Sequence, residues 1–283
     1  MAFNRFIGID WSGAKGHRHK GIAVAEADAA GGIRLIRPDA ASWSRTAVLD
    51  LVVSARPGTA VTMDSSFSLP FEDAGVFLPG LTARSAKELW TEVDTICEGD
   101  DDLFGGSFVD RFADHYQLSK TPGPAFKRRY RITETWNNAA FKERCESCYH
   151  LIGPSQIGKG GLSTMRFLHQ LQQRSGAAVW PFDAINQNAV TIFEAFATTW
   201  RDGFRGKIRD IETLLPFLDS YGAAFVQPAP LTITDDEADA ILMAAGLRSL
   251  FVGAGKGPYL PREASPAILE TEGWIMTGEP PCN

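Results

Sequence analysis

Phe6-Ile7-Gly8-Ile9-Asp10-Trp11-Ser12-Gly13 is a short apolar run that stops at a carboxylate and passes into a glycine-containing polar loop. Four apolar residues before an acid fit a buried strand whose end is exposed to chemistry. The text around it extends the pattern. Gly21–Glu26 and Ile33–Ile36 read as a second and third strand around the Gly-rich turn Asp28–Gly32, a hairpin signal that makes an antiparallel meander. Ser42 to Ala55 reads as a helix with Ser42 or Ser44 as cap and Pro57-Gly58 as stop. Ala60-Val61-Thr62-Met63 is a further strand and ends in Asp64. The order β-β-β-α-β predicts an α/β fold with a mixed sheet, its fourth strand returning parallel by a right-handed crossover.

From about residue 70 to 153 the text turns to Pro-Gly punctuation, an acidic run (Glu98 to Asp102) and a basic run (Lys127 to Arg131). It predicts a large, mostly helical and irregular insertion. Regular α/β text then resumes. Ser163 to Ser175 is helical, Ala177–Trp180 and Val190–Phe193 are strands, and Glu194 ends the second of them. Ile208 to Leu218 is helical, and Thr234 to about Phe251 forms a clear helix. One domain over 1–255, with 70–153 inserted and 256–283 as a Gly/Pro-rich tail, accounts for this order.

Composition narrows the class. Of 283 residues, 44% are apolar and 22% charged, which excludes disorder over most of the chain. The longest uncharged apolar stretch, Ala240–Leu247, is far below the roughly 18 residues that span a bilayer. No signal-peptide core follows Met1, so a cytoplasmic location is expected. Net charge −6 argues against coating nucleic acid by charge alone. Four cysteines do not make a disulfide scaffold.

Asp10, Asp64 and Glu194 each follow an apolar β run directly, and Asp239 lies among apolar neighbours of the last long helix. Neighbouring strands bring such ends together, and a packed helix adds its own carboxylate. Crowded carboxylates repel unless compensated. Mg²⁺ or Mn²⁺ is the natural compensation, because both take oxygen ligands and keep positions for water and phosphate oxygens. Plain structural roles compete: Asp10 and Asp64 suit turns, and Thr234-Asp235-Asp236-Glu237 fits a capping box that favours acids in the first helical turn. Asp239, a turn further in, lacks that excuse.

Ile7–Gly13, Val61–Phe67 with Asp64, the strand-ending Glu194 and the helix Asp235–Ala240 together resemble the RNase H-like superfamily. Within it they are most similar to the predicted-nuclease family called domain of unknown function 429. Gly158-Lys159-Gly160-Gly161 and Arg131-Ile132-Thr133-Glu134 also look like features of that family. The resemblance implies Asp10, Asp64, Asp236 and Asp239 as catalytic ligands of Mg²⁺ or Mn²⁺, with Glu194 as an accessory acid. It implies a nuclease acting on DNA or RNA. Lys127, Arg128, Arg129 and Arg131 read equally as a basic patch for substrate phosphates or as a solvated charge run, and Lys159 at a helix start could hold a phosphate. A non-catalytic nucleic-acid or nucleotide binding module on the same fold is the alternative.

Other signals compete. Gly153 to Gly160 nearly matches a phosphate loop but has Gly160 where the magnesium-holding hydroxyl belongs. Cys145-x-x-Cys148 with His150 is half a zinc site, a redox pair or coincidence. His17 and His19, with Lys15, Arg18 and Lys20, line the loop after Asp10 or are merely solvated. An actin-like sugar kinase relative also suits the first motif, but no duplicated half follows.

Overall fold

Strands β1 (Arg5–Asp10), β2 (Ala23–Asp28) and β3 (Gly32–Ile36) form the expected meander, and β4 (Thr59–Asp64) pairs parallel to β1. The computed structural model describes residues 3–141, 145–152, 157–201, 203–226, 228–253 and 256–280. Helix α1 (Arg45–Val53) makes the crossover between β3 and β4, capped by Ser44, whose hydroxyl accepts from the Ala47 amide. Beyond β4 the sheet adds β6 (Thr191–Ala195) and then β5 (Ala178–Trp180), both parallel. At the far edge β7 (Ala224–Phe225) pairs parallel to β3. The result is one α/β mixed sheet of seven strands in the order β5-β6-β4-β1-β2-β3-β7, flanked by helices. No helix among the described residues is long and apolar enough to cross a membrane.

Side chains alternate between two buried layers, because successive residues of a strand point to opposite faces. Ile7, Ile9, Val61, Met63 and Ile192 enter one core, with α1, α2 (Ala86–Ile96), α3 (Gly106–Arg111) and α5 (Gly158–Arg174). Phe6, Ala60, Phe193 and Ala195 enter the other, beneath α7 (Asp235–Arg248). Helix α7 is apolar almost all round because it is covered twice. It lies on β1 and β2, and α6 (Ile211–Ser220) and the 3-10 turn Ala197–Trp200 pack over it. Its approach to the sheet is close: a Cβ at Gly8 would stand 2.1 Å from the Ala240 carbonyl oxygen.

The insertion is helical and irregular as its text indicates, with α2, α3 and α4 (Ile132–Ala140). It is no appendage. Phe77, Leu89, Trp90, Val93 and Phe108 are fully buried in the first core. Helix α5 begins five residues before the expected Ser163. Glycine reads as a breaker, yet Gly158 sits where a Cβ would meet the Cys148 carbonyl oxygen at 1.9 Å. The absence of a side chain here permits close packing rather than ending the helix.

The Gly/Pro-rich stretch after 255 carries a helix of its own and packs on the domain. Helix α8 (Pro266–Thr271) starts with Ser265 as cap and proline in its first turn, a start signal overlooked in Gly/Pro-rich text. Trp274 and Met276 are completely buried in the second core. The Glu272 carboxylate accepts from the amides of Phe71, Glu72 and Ile132, at 2.7 Å for the first. The Met276 amide donates to the Glu194 carbonyl at 2.7 Å.

Candidate carboxylate site at the sheet end

Asp10 and Asp64 are register partners at the carboxyl ends of adjacent parallel strands, which stand about 4.8 Å apart. Counting by twos from Phe6 and Ala60 puts both on the α7 face. Thr234 caps α7 by accepting from the Glu237 amide at 3.1 Å, and Glu237 reaches back to the Thr234 amide at 3.0 Å. That box fixes where the helix starts, and so aims Asp236 and Asp239 at the strand ends.

The four carboxylates sense one another. Burial holds Asp10 well above the usual carboxylate range, and the charges of Asp64, Asp239 and Asp236 push it the same way. Burial, reinforced by Asp239, raises Asp64 to about 7, although its carboxylate accepts from the Ala197 amide at 3.2 Å. Asp236 is raised by burial and then by Asp235. Asp239 is raised by burial too, against the pull of Arg201, whose guanidinium pairs with it. Asp235, four residues earlier, is different: Lys207 and Arg209 hold it at the surface, and the Lys207 hydrogen bond lowers it.

This donor set suits a hard divalent cation in its chemistry. It is oxygen only, and four half-buried carboxylates share the cations Arg201 and Lys207. Its present arrangement is not that of a ligand sphere. Among the described residues no three His, Cys, Asp or Glu side chains stand ready to hold an ion, and Asp239 is turned to Arg201.

Glu194 is placed otherwise than expected. It is the register partner of Met63, not of Asp64, and so points to the opposite face of the sheet. There its carboxylate is clasped by both terminal nitrogens of Arg131 and accepts from the Phe67 amide at 3.0 Å. Around the sheet end it still lines the same cleft as Asp10, Asp64 and Asp239, and its charge adds to the upward push on Asp64, but its oxygens are taken by Arg131 and the Phe67 amide.

The basic patch is corrected to its first half. Lys127 and Arg128 are exposed, and Arg128 lies 3.5 Å from Glu146. Arg129 instead binds Asp73 and the carbonyls of Pro70, Val76 and Phe77. Arg131 is 1% exposed and bridges Glu134 and Glu194. Lys159 extends toward the insertion, its amine 6.0 Å over the Phe104 ring, rather than toward the carboxylates.

The competing motifs dissolve in structural roles. Gly153 to Gln156 of the near phosphate loop lie outside the described residues, and the rest of it is the first turn of α5. Cys148 is buried, which pushes its thiol up, and so is Cys97. His19 is buried against Asp102 at 3.0 Å, and His17 lies at the surface 3.3 Å from Asp101.

Arg201 is the site residue that sequence patterns did not reveal. Its one signal is a lone arginine just past a strand that ends in the same cleft, beside Trp200. Lys207 lines the cleft with Asp10, Asp64 and Asp239, and Arg201 reaches it through its pair with Asp239. No family profile, curated protein or solved structure matches this chain.

Proposed function

We propose that this chain is a metal-dependent phosphodiesterase of RNase H-like fold, acting as a nuclease on DNA or RNA. One observation carries the reading: Asp10 and Asp64 meet in register on one face, under a helix that adds Asp236 and Asp239. Uncompensated burial of that much negative charge is costly. The strand order β3-β2-β1-β4-β6-β5, with an antiparallel meander and parallel remainder, supports the fold part of the proposal.

Asp10, Asp64, Asp236 and Asp239 would hold Mg²⁺ or Mn²⁺. Bound there, the ion would supply charge compensation and Lewis-acid activation of water and of a phosphate oxygen. Asp10 and Asp64 stay fixed by the sheet ladder and give the site its rigid half. Asp236 and Asp239 ride on α7 and set the width of the cleft. Lys207, paired with Asp235, lines the cleft and would meet a substrate phosphate there. Lys127 and Arg128 offer exposed positive charge on the insertion.

The test is a titration of Mg²⁺ and Mn²⁺ against a panel of labelled single- and double-stranded DNA and RNA. Metal-dependent cleavage that disappears in a folded Asp10→Asn protein is the expected result. Full activity in that variant removes the assignment. A second reading, a nucleic-acid binding module without turnover, is favoured by the Asp239–Arg201 pair, which already neutralises one of the four acids. Binding of the panel with no cleavage under any divalent ion selects it.

A further inference from the structure

We infer that Arg201 is an internal counter-cation that competes with a divalent ion for Asp239. The inference rests on the metal reading above. Arg201 follows β6 in the turn that carries Ala197 and Trp200, and only 6% of it is exposed. One terminal nitrogen pairs with Asp239, and the other donates to the Gly206 carbonyl at 2.8 Å. Its Nε is buried and meets no acceptor among the described residues.

A buried guanidinium that leaves a donor unused is poorly satisfied. It stays because the carboxylates need positive charge. The Arg201 guanidinium is paired directly with Asp239, which lines the same cleft as Asp10 and Asp64. Near the start of α7, Lys207 and Arg209 pair with Asp235 and Arg37 pairs with Glu237. Arg201 thus supplies inside the cluster what a metal would supply. Both cannot use the same Asp239 oxygen. Entry of an ion requires that oxygen to leave Arg201, and the guanidinium, tied otherwise by one backbone bond, is then free to turn to an incoming anion. This explains why four suitable carboxylates stand together without forming a ligand sphere. Arg201 is a positioning residue: it sets where Asp239 points and how readily the ion binds.

The experiment measures Mn²⁺ itself. Free Mn²⁺ is read by electron paramagnetic resonance during titration of the whole protein, alongside thermal unfolding in chelator and in Mn²⁺. Arg201→Gln is expected to bind Mn²⁺ about tenfold tighter, a difference of ordinary pairwise size. It should melt earlier than wild type in chelator and gain a larger Mn²⁺-induced shift. Arg201→Lys, which keeps the charge if the glutamine protein does not fold, cannot span Asp239 and Gly206 together. It should tighten binding about two- to threefold. Mn²⁺ affinity that is unchanged or weaker in folded Arg201 variants overturns the inference alone. No Mn²⁺ binding by wild type or variants overturns it together with the metal reading.

Discussion

Asp64 shows how a single position carries a measurable cost. Its carboxyl, ordinarily at 3.8, is raised to about 7 by burial and then by Asp239. The folded state therefore holds this proton longer than the unfolded chain does. Without metal, the contribution of this group to stability is greatest below about pH 4, falls as pH rises between about 4 and 7, and stays low above that. The displacement corresponds to about 4 kcal/mol at most. Asp64→Asn should flatten this dependence and stabilise the chelator-treated protein at pH 8, with Asp10 leaving a remainder of the slope. Urea unfolding at pH 5 and pH 8 in chelator checks it. Equal slopes in the two proteins would remove Asp64 as the source.

Lys127, Arg128 and Arg131 lie within five residues and separate by experiment. Changing Lys127 and Arg128 to Gln should weaken nucleic-acid binding. For each phosphate that is no longer neutralised, the slope of log affinity against log salt should become shallower by about 0.9 on duplex DNA. Arg131→Gln should instead destabilise the protein by about 3–5 kcal/mol, because Glu134 and Glu194 are left buried without their partner. Anisotropy titrations over a range of salt, with unfolding curves for each variant, distinguish a surface cation from an internal one. A well-folded Arg131→Gln protein of wild-type stability would contradict the structural role.

Strand β1 and helix α7 are coupled more tightly than any other helix and strand among the described residues. Gly8 has no Cβ because the Ala240 carbonyl and the Ala244 amide occupy that space, at 2.1 and 2.7 Å. Both obstacles are backbone, so neither neighbour can step aside cheaply. The alanines of β2, Ala23, Ala25 and Ala27, keep the same interface thin. This closeness brings the α7 carboxylates within reach of Asp10. Gly8→Ala is expected to cost about 1–3 kcal/mol by overpacking and to lower Mn²⁺ affinity without touching any carboxylate. Denaturant unfolding and the Mn²⁺ titration measure the two effects. A neutral Gly8→Ala would mean that α7 shifts freely and does not position the site.

Across the protein, the insertion and the C-terminal stretch close on each other around the sheet end. Glu272 gathers amides from the start of the insertion and from the start of α4, Ser68 donates to the Thr271 carbonyl at 2.6 Å, and the Ile275 amide donates to the Thr133 hydroxyl at 2.9 Å. Trp274, fully buried, packs on Trp136 of α4 with ring centroids 5.6 Å apart. Trp274→Ala should therefore cost about 3–5 kcal/mol, and removal of residues 266–280 should cost more. Thermal unfolding of both proteins decides the matter. A truncated protein with the wild-type midpoint would show that these contacts do not hold the fold together.

Local patterns in the chain were enough to read the meander, the crossover, Asp10 and Asp64 at strand ends, and the Thr234–Glu237 cap. Each depends on neighbours a few residues away: an apolar run, a Gly-rich turn, a hydroxyl three residues before an acid. β7 escaped because two residues carry no periodicity, and α8 because its proline reads equally as loop. Folding decided the rest. Glu194 ends an apolar run as Asp64 does, but this central strand is buried on both faces, so its composition does not mark which face is which. Only the register with β4 settles that it faces away. Arg131 belongs to a basic run in the chain and to a buried ion cluster in space, since Glu194 lies 63 positions further on. Arg201 meets Asp239 across 38 positions. Charges find partners by distance in space, and local sequence does not encode that distance.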